Sequence, residues 1–180
     1  MIQEGCSLQS SRKYERCSEG EVKEYLRYVE RRFGIPRELF DKYVFLKKGK
    51  NIWIFSGDQG VLNDFKKIET IGIKFLTVTR KFIKPTTAFL QIFGKYARKN
   101  IVELKKEEEM VEFMTGGMIK RKFNAEKGFV IVKYHEDILG CGLYTNTGLL
   151  SQIPKSRRID KRWVEEANPE ANHGEEESID

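Results

Sequence analysis

The 180 residues, 39% of them hydrophobic and 12% aromatic, suffice to bury one or two small cores without disulfide staples. Apolar runs of four or five residues fall far short of the roughly 20 that a membrane span needs, and MIQEGCSLQSSRKYERCSEG lacks the apolar core of a secretory signal. The net charge of +6 conceals an asymmetry, because EEANPEANHGEEESID carries seven acids and no Lys or Arg, leaving 33 basic against 20 acidic residues in 1–164.

A basic surplus of 13 favours a polyanionic partner over an acidic small molecule. The plainer reading is solubility, and the abundance of both Lys and Glu also resembles a thermophile surface. No membrane partner is expected, and the expected location is the cytoplasm. Cys6, Cys17 and Cys141 are odd in number and irregularly spaced, which suits reduced, inert thiols. With His135 and His173 as the imidazoles, no zinc-type cluster is legible, so neither metal nor cofactor is expected.

Residues 1–19 mix polar types without a period and read as a mobile leader. Ser18 stands three residues before Glu21 in a capping-box arrangement, and Val22, Tyr25, Leu26, Val29 and Phe33 follow at helical spacing. This predicts a helix over about 20–33, ended by Gly34 and Pro36. RELF reads as a helical turn, Val44–Leu46 and Asn51–Ser56 as strands joined by a Lys-Gly hairpin turn, GVLNDFKKI as a short helix, and TIGIKFLTVTRKFIKP as strand.

Pro85 is predicted at a first helical position, with Ala88, Phe89, Ile92, Phe93 and Tyr96 on one face. NIVEL is a predicted strand, and KKEEEMVEFM a short helix with acids near its N-terminal end. MIKRKF, GFVIVKY, ILGCGLY and LLSQI are predicted strands separated by the turn sequences NAEKG, HED and TNTG, giving an antiparallel meander. The expected class is α+β: a leader at 1–19, a small α/β module at 20–79, a β-barrel-like module with one or two helices at 80–163, and a disordered acidic tail at 164–180.

Strand alternation puts Leu139, Cys141 and Leu143 on one face and Ile138, Gly140, Gly142 and Tyr144 on the other. Cys141 then behaves as a small core hydrophobe with a raised pKa, the opposite of an activated nucleophile. The Gly-Cys-Gly run is not a dinucleotide loop, since it opens no helix. Its glycines either permit the sharp coil of a small barrel or leave a bare stripe where a ligand's backbone can approach.

Several basic groups have aromatics interleaved at Phe82, Tyr96, Phe123, Tyr144 and Trp163, the composition of an RNA surface in which cations bind phosphates and rings stack on bases. Tyr144 and Trp163 are expected to face outward. PKSRRIDKR is the leading cluster, because Pro154 stops a strand, arginine forks suit phosphate and Ser156 adds a neutral hydrogen bond. TGGM reads as a helix C-cap rather than a phosphate cradle, Glu107–Glu109 as a solvated helix start, and His135 as an exposed turn residue.

KPTTAFLQIFGKYARKNIVEL followed by GFVIVKYHEDILGCGLYTNTGLLSQIPKSRRI resembles the PUA-like domain at the C-terminal end of RsmF-type (Fmu/Sun) RNA cytosine-C5 methyltransferases. FGIPRELFDKYVFL and IWIFSG resemble the small module that precedes PUA domains in archaeal RNA-binding proteins. The resemblance implies a pseudo-barrel that recognises structured rRNA or tRNA through shape and phosphate contacts, in RNA modification or ribosome biogenesis. A methyltransferase or a ribosome-assembly factor is then the expected associate.

Those enzymes use a Rossmann-like domain and a Pro-Cys nucleophile, whereas Gly5, Arg16 and Gly140 precede the cysteines here. A non-catalytic role is therefore expected, with no catalytic residue. The expected RNA face combines Lys81, Lys84, Lys120, Arg121, Lys122, Gly140, Gly142, Lys155, Ser156, Arg157 and Arg158. The alternatives are a module docking an acidic protein partner, an accessory subunit of an RNA methyltransferase, and a small RNA-modifying enzyme whose site is not legible.

Overall fold

The computed structural model describes residues 14–57, 71–160 and 162–163. The chain divides between Tyr96 and Ala97 into two compact units. The first contains strands β1 (Glu15–Arg16), β2 (Tyr43–Lys48), β3 (Asn51–Ser56), β4 (Ile73–Val78) and β5 (Ile83–Pro85), with helices α1 (Glu19–Phe33) and α2 (Thr87–Phe93). Its strands lie in sequence order in one antiparallel sheet.

The capping box of α1 is complete: Ser18 Oγ accepts the Glu21 N–H at 3.3 Å, and the Glu21 carboxylate accepts the Ser18 N–H at 2.8 Å. Gly34, at φ 67°, closes the helix by donating its N–H to the Glu30 carbonyl. Tyr25, Val29 and Phe33 are the buried face, four residues apart. A 3₁₀ turn at Arg37–Phe40 then inserts Phe40 among Phe75, Phe89 and Phe93, with centroids 5.4, 6.2 and 5.0 Å away.

Residues 14–19 differ from the expected leader. Strand β1 pairs with β2, and Cys17 is buried and donates its N–H to Phe45 O at 2.9 Å. Burial, reinforced by the nearby Glu21 carboxylate, pushes the Cys17 thiol up to about 11. Residues 1–13, the expected helix at 60–68 and the acidic tail from 164 lie outside the described residues.

Pro85 is not the first residue of α2. It ends edge strand β5 opposite Leu76, where a missing N–H costs no ladder bond, and Thr86 caps the helix by accepting the Phe89 N–H at 3.2 Å. The buried face is Phe89, Leu90 and Phe93 rather than the expected stripe, with Ile92 and Tyr96 more than 40% exposed. The helix is only seven residues long and passes into a 3₁₀ turn at Gly94–Tyr96, so a continuous 3.6-residue period does not hold. Residues 80–96, expected with the second module, pack with the first through β4–β5 pairing and the contact of Phe89 with Phe75.

The second unit contains β6 (Ile101–Leu104), α3 (Glu107–Met114), β7 (Met118–Ile119), β8 (Gly128–Tyr134), β9 (Asp137–Tyr144) and β10 (Leu149–Ser151), then a 3₁₀ turn at Lys155–Arg157. The sheet order is β6-β8-β9-β10-β7. Strands β8, β9 and β10 form the expected meander, whereas β6 runs parallel to β8 and β7 crosses to pair with β10. The whole is α+β, as expected. Its core holds Val102, Leu104, Phe113, Ile119, Val130, Val132, Leu149 and Ile153.

Register decides the orientation of the Gly-Cys-Gly run. Gly142 pairs with Val130 and Gly140 with Val132, so both glycines share the face of two core valines and are buried. They present no bare stripe to solvent. A Cβ on Gly142 would lie 2.7 Å from Leu149 Cδ1 and 2.8 Å from Val132 Cγ2.

The register shifts between Val132 and Lys133, which leaves Leu139 as the extra residue of a β-bulge beside Gly140, at φ 148°. That bulge turns Leu139 toward the core cluster, away from the alternation expected for it. Cys141 is fully buried beside its register partner Ile131.

Candidate nucleic-acid interface

The interface in the second unit is built where edge strand β7 leaves the sheet. Ile119 pairs with Leu149, and backbone at Lys120 then passes so close to Gly148 that a Cβ on that glycine would lie 3.2 Å from Lys120 Cα. Lys120, Arg121 and Lys122 follow as exposed residues rather than as the expected continuation of a strand. Phe123 ends this excursion, giving its N–H to the Tyr144 hydroxyl at 3.1 Å and packing edge-on against that ring.

The second basic segment follows β10 and leaves the antiparallel β7–β10 pair at its other end, where Ser151 donates its N–H to Gly117 O. Strand β10 ends at Ser151, earlier than the Pro154 stop expected, and the 3₁₀ turn that follows Pro154 exposes Lys155, Ser156 and Arg157. Arg158 Nε donates to Ile153 O at 3.1 Å, and the Ile159 N–H donates to Met114 O at 3.2 Å. These bonds tie the segment to the end of α3. Gly116, at φ 96°, is bare because the Arg158 guanidinium lies over it, 2.5 Å from where a Cβ would stand.

The geometry sorts the expected cations into two groups. Arg121 is engaged by Glu109, with Nη2 to Oε2 at 3.1 Å, and stacks over Phe123 at 4.0 Å from the centroid. Arg158 braces its own loop. Lys120, Lys122, Lys155 and Arg157 are exposed and form no ion pair among the described residues, so they are free to meet phosphate. Ser156 stands between the last two as an exposed hydroxyl.

Lys81 and Lys84 belong to the first unit, on the turn and second strand of the β4–β5 hairpin. Gly140 and Gly142 belong to the core. Tyr144, expected to face outward, is half-buried on the core cluster with its hydroxyl committed to Phe123. Trp163 is 71% exposed.

The TGGM turn has no amides to spare for phosphate. Gly116 and Gly117 donate to the Phe113 and Glu112 carbonyls, and the Glu112 carboxylate accepts the Met118 N–H at 3.3 Å. His135 is exposed in its turn, against Tyr134. Among the described residues no group of three His, Cys, Asp or Glu side chains could hold a metal ion, and no helix is long and apolar enough to cross a membrane.

Glu109 is the residue that sequence reasoning missed; it reads as one solvated acid in a run of three. Hydrogen bonds from Arg121 hold its carboxyl below the usual range, and nearby backbone and the Arg121 and Lys106 charges act in the same direction. Its contribution is therefore full above the ordinary carboxylate pKa and is lost as pH falls through the depressed value. Glu109→Gln should flatten the acid limb of a melting-temperature profile below about pH 5, at a neutral-pH cost of about 1 kcal/mol or less for a part-exposed pair. The same change removes the carboxylate that engages Arg121.

Residues 99–159 match the family described as Methyltransferase RsmF PUA domain, and residues 9–72 match a family of unknown function, DUF7122. Ribosomal RNA small subunit methyltransferase F of Aeromonas salmonicida (strain A449) is 27% identical over 137 residues, which cover 75% of this chain and 27% of that protein. The chain thus spans about a quarter of the length of that relative. Among solved structures it is similar to hypothetical protein PH0734.1 of the hyperthermophilic archaeon Pyrococcus horikoshii OT3, with a TM-score of 0.47 and 17% identity over 84% of this chain and 98% of the other.

Proposed function

We propose that this chain, whose residues 99–159 form a PUA-like domain of the RsmF type, binds structured RNA and serves rRNA modification without catalysing it. The observation that carries this reading is the set of exposed cations Lys120, Lys122, Lys155 and Arg157 on the two segments that leave opposite ends of the β7–β10 pair in that domain. Phosphate contacts fix register on RNA and supply most of its affinity, while A-form geometry rather than base sequence decides what fits. The chain would present an rRNA segment to a methyltransferase partner.

Binding of a folded small-subunit rRNA fragment, followed by fluorescence anisotropy between 50 and 300 mM salt, tests the proposal. Four phosphate contacts predict a log-log slope of roughly −3 if the contacted strands are unpaired. Lys155→Glu with Arg157→Glu should weaken binding at least about tenfold and lower the slope magnitude by about 1.4, two contacts' worth. A flat salt response, or a double variant that binds as the unaltered chain does, would overturn it.

A further inference from the structure

Residues 42–57 and 70–102 contain eleven Lys or Arg and not one Asp or Glu. The first unit gathers part of this acid-free charge at one end of its sheet. Strand β3 runs antiparallel to β4, with Asn51 opposite Thr77, so the Gly49–Lys50 turn and the Thr79–Phe82 turn stand side by side. Lys50 O accepts the Val78 N–H at 2.7 Å and joins them, and Lys84 lies opposite Thr77 on the next strand.

The tip between β4 and β5 is fixed before any ligand arrives. Thr79 Oγ1 accepts the N–H groups of Lys81 and Phe82 at 3.3 and 3.1 Å, and the Thr79 N–H donates to Phe82 O at 3.0 Å. This turn holds Arg80 and Lys81 in solvent and leaves the Phe82 ring 46% exposed. Lys74 is half-buried on β4, its ammonium held below the usual range by burial and by the positive charges of Lys50 and Lys84. Lys47 pairs with Glu21 at 3.0 Å and Lys48 lies over the Tyr14 ring at 4.8 Å.

We propose that this sheet end is a second RNA-binding site, taking the phosphates of a single strand on Lys50, Lys74, Arg80, Lys81 and Lys84 and stacking an unpaired base on Phe82. An exposed ring set among cations is the arrangement that binds single strands without reading sequence. An acidic protein would use the charge without stacking on the exposed ring.

Binding of a labelled 12-nucleotide oligouridylate to the full chain tests the proposal, with three variants whose folding is checked by circular dichroism. Lys50→Glu with Lys81→Glu should weaken binding about tenfold and lower the salt-slope magnitude by about 1.4. Phe82→Ala should weaken it about tenfold and leave the slope unchanged, since a stacked ring neutralises no phosphate. If both bind as the unaltered chain while Lys120→Glu with Lys155→Glu loses affinity, this inference fails and the function proposed for the second unit stands.

Loss with all three variants supports two sites. Unchanged binding with all three overturns both readings. If polyglutamate displaces the oligonucleotide and Phe82→Ala has no effect, the surface is a dock for acidic chains and the nucleic-acid assignment falls.

Discussion

Phe40→Ala is expected to destabilise the first unit by about 3–5 kcal/mol, the cost of a full aromatic truncation in a packed core. Phe40 is 2% exposed and its ring touches Tyr43, Phe75, Phe89 and Phe93, so one side chain joins β2, β4 and α2. It enters this cluster from the short 3₁₀ turn after α1, where Arg37 and Glu38 are exposed and Leu39 is half-buried. The backbone around it is fixed by Pro36 on one side and strand β2 on the other, which limits collapse into the cavity.

Urea unfolding followed by Trp53 fluorescence in a Trp163→Phe background reads the first unit directly, since Trp53 and Trp163 are the two tryptophans. A shift in midpoint equivalent to under about 1 kcal/mol would show that the cluster repacks and that Phe40 is dispensable. Phe40→Leu keeps an apolar side chain in the site and should cost clearly less than the alanine change. Because two compact units are present, one overall transition should not be assumed, and the Trp53 signal is the quantity to compare.

Local signals were the readable part of this chain. The capping box at Ser18 and Glu21, the left-handed Gly34 and the hairpin at Gly49 each lie within a few residues of the structure they specify. The PUA-like resemblance rested on the order of such pieces, and it held for residues 99–159. What could not be read was pairing across distance. Arg121 and Glu109 are twelve residues apart and both look solvated in sequence, yet they bond each other.

The face of Gly140 and Gly142 depended on which residues of β8 they oppose, and alternation along β9 alone does not carry that information. Alternation also fails at Leu139, where the bulge adds a residue. Tyr144 was expected to face outward, but it follows Gly142 onto the core face, where its hydroxyl accepts the Phe123 N–H. Lys81 and Lys84 were expected on the RNA face, but Lys50 was not grouped with them, since its turn stands beside their hairpin only once β3 and β4 pair.

Gly142→Val is the sharpest test of the corrected reading of the Gly-Cys-Gly strand. The added methyl groups would have to enter a space already taken by Leu149, Val132 and Val130, two of which are β-branched and stiff about χ1. Overpacking of this kind costs about 1–3 kcal/mol and sometimes more, and valine should exceed alanine at the same position because only its Cγ atoms extend past the first contact. Thermal unfolding followed by circular dichroism should therefore order the variants as unaltered, then Gly142→Ala, then Gly142→Val.

RNA affinity of the folded fraction should stay within about twofold, because the glycine faces core valines and the free cations at Lys120 and Lys155 are untouched. The opposite pattern, normal stability with lost RNA binding, would mean that backbone at Gly142 meets the ligand and that the core assignment of this face is wrong.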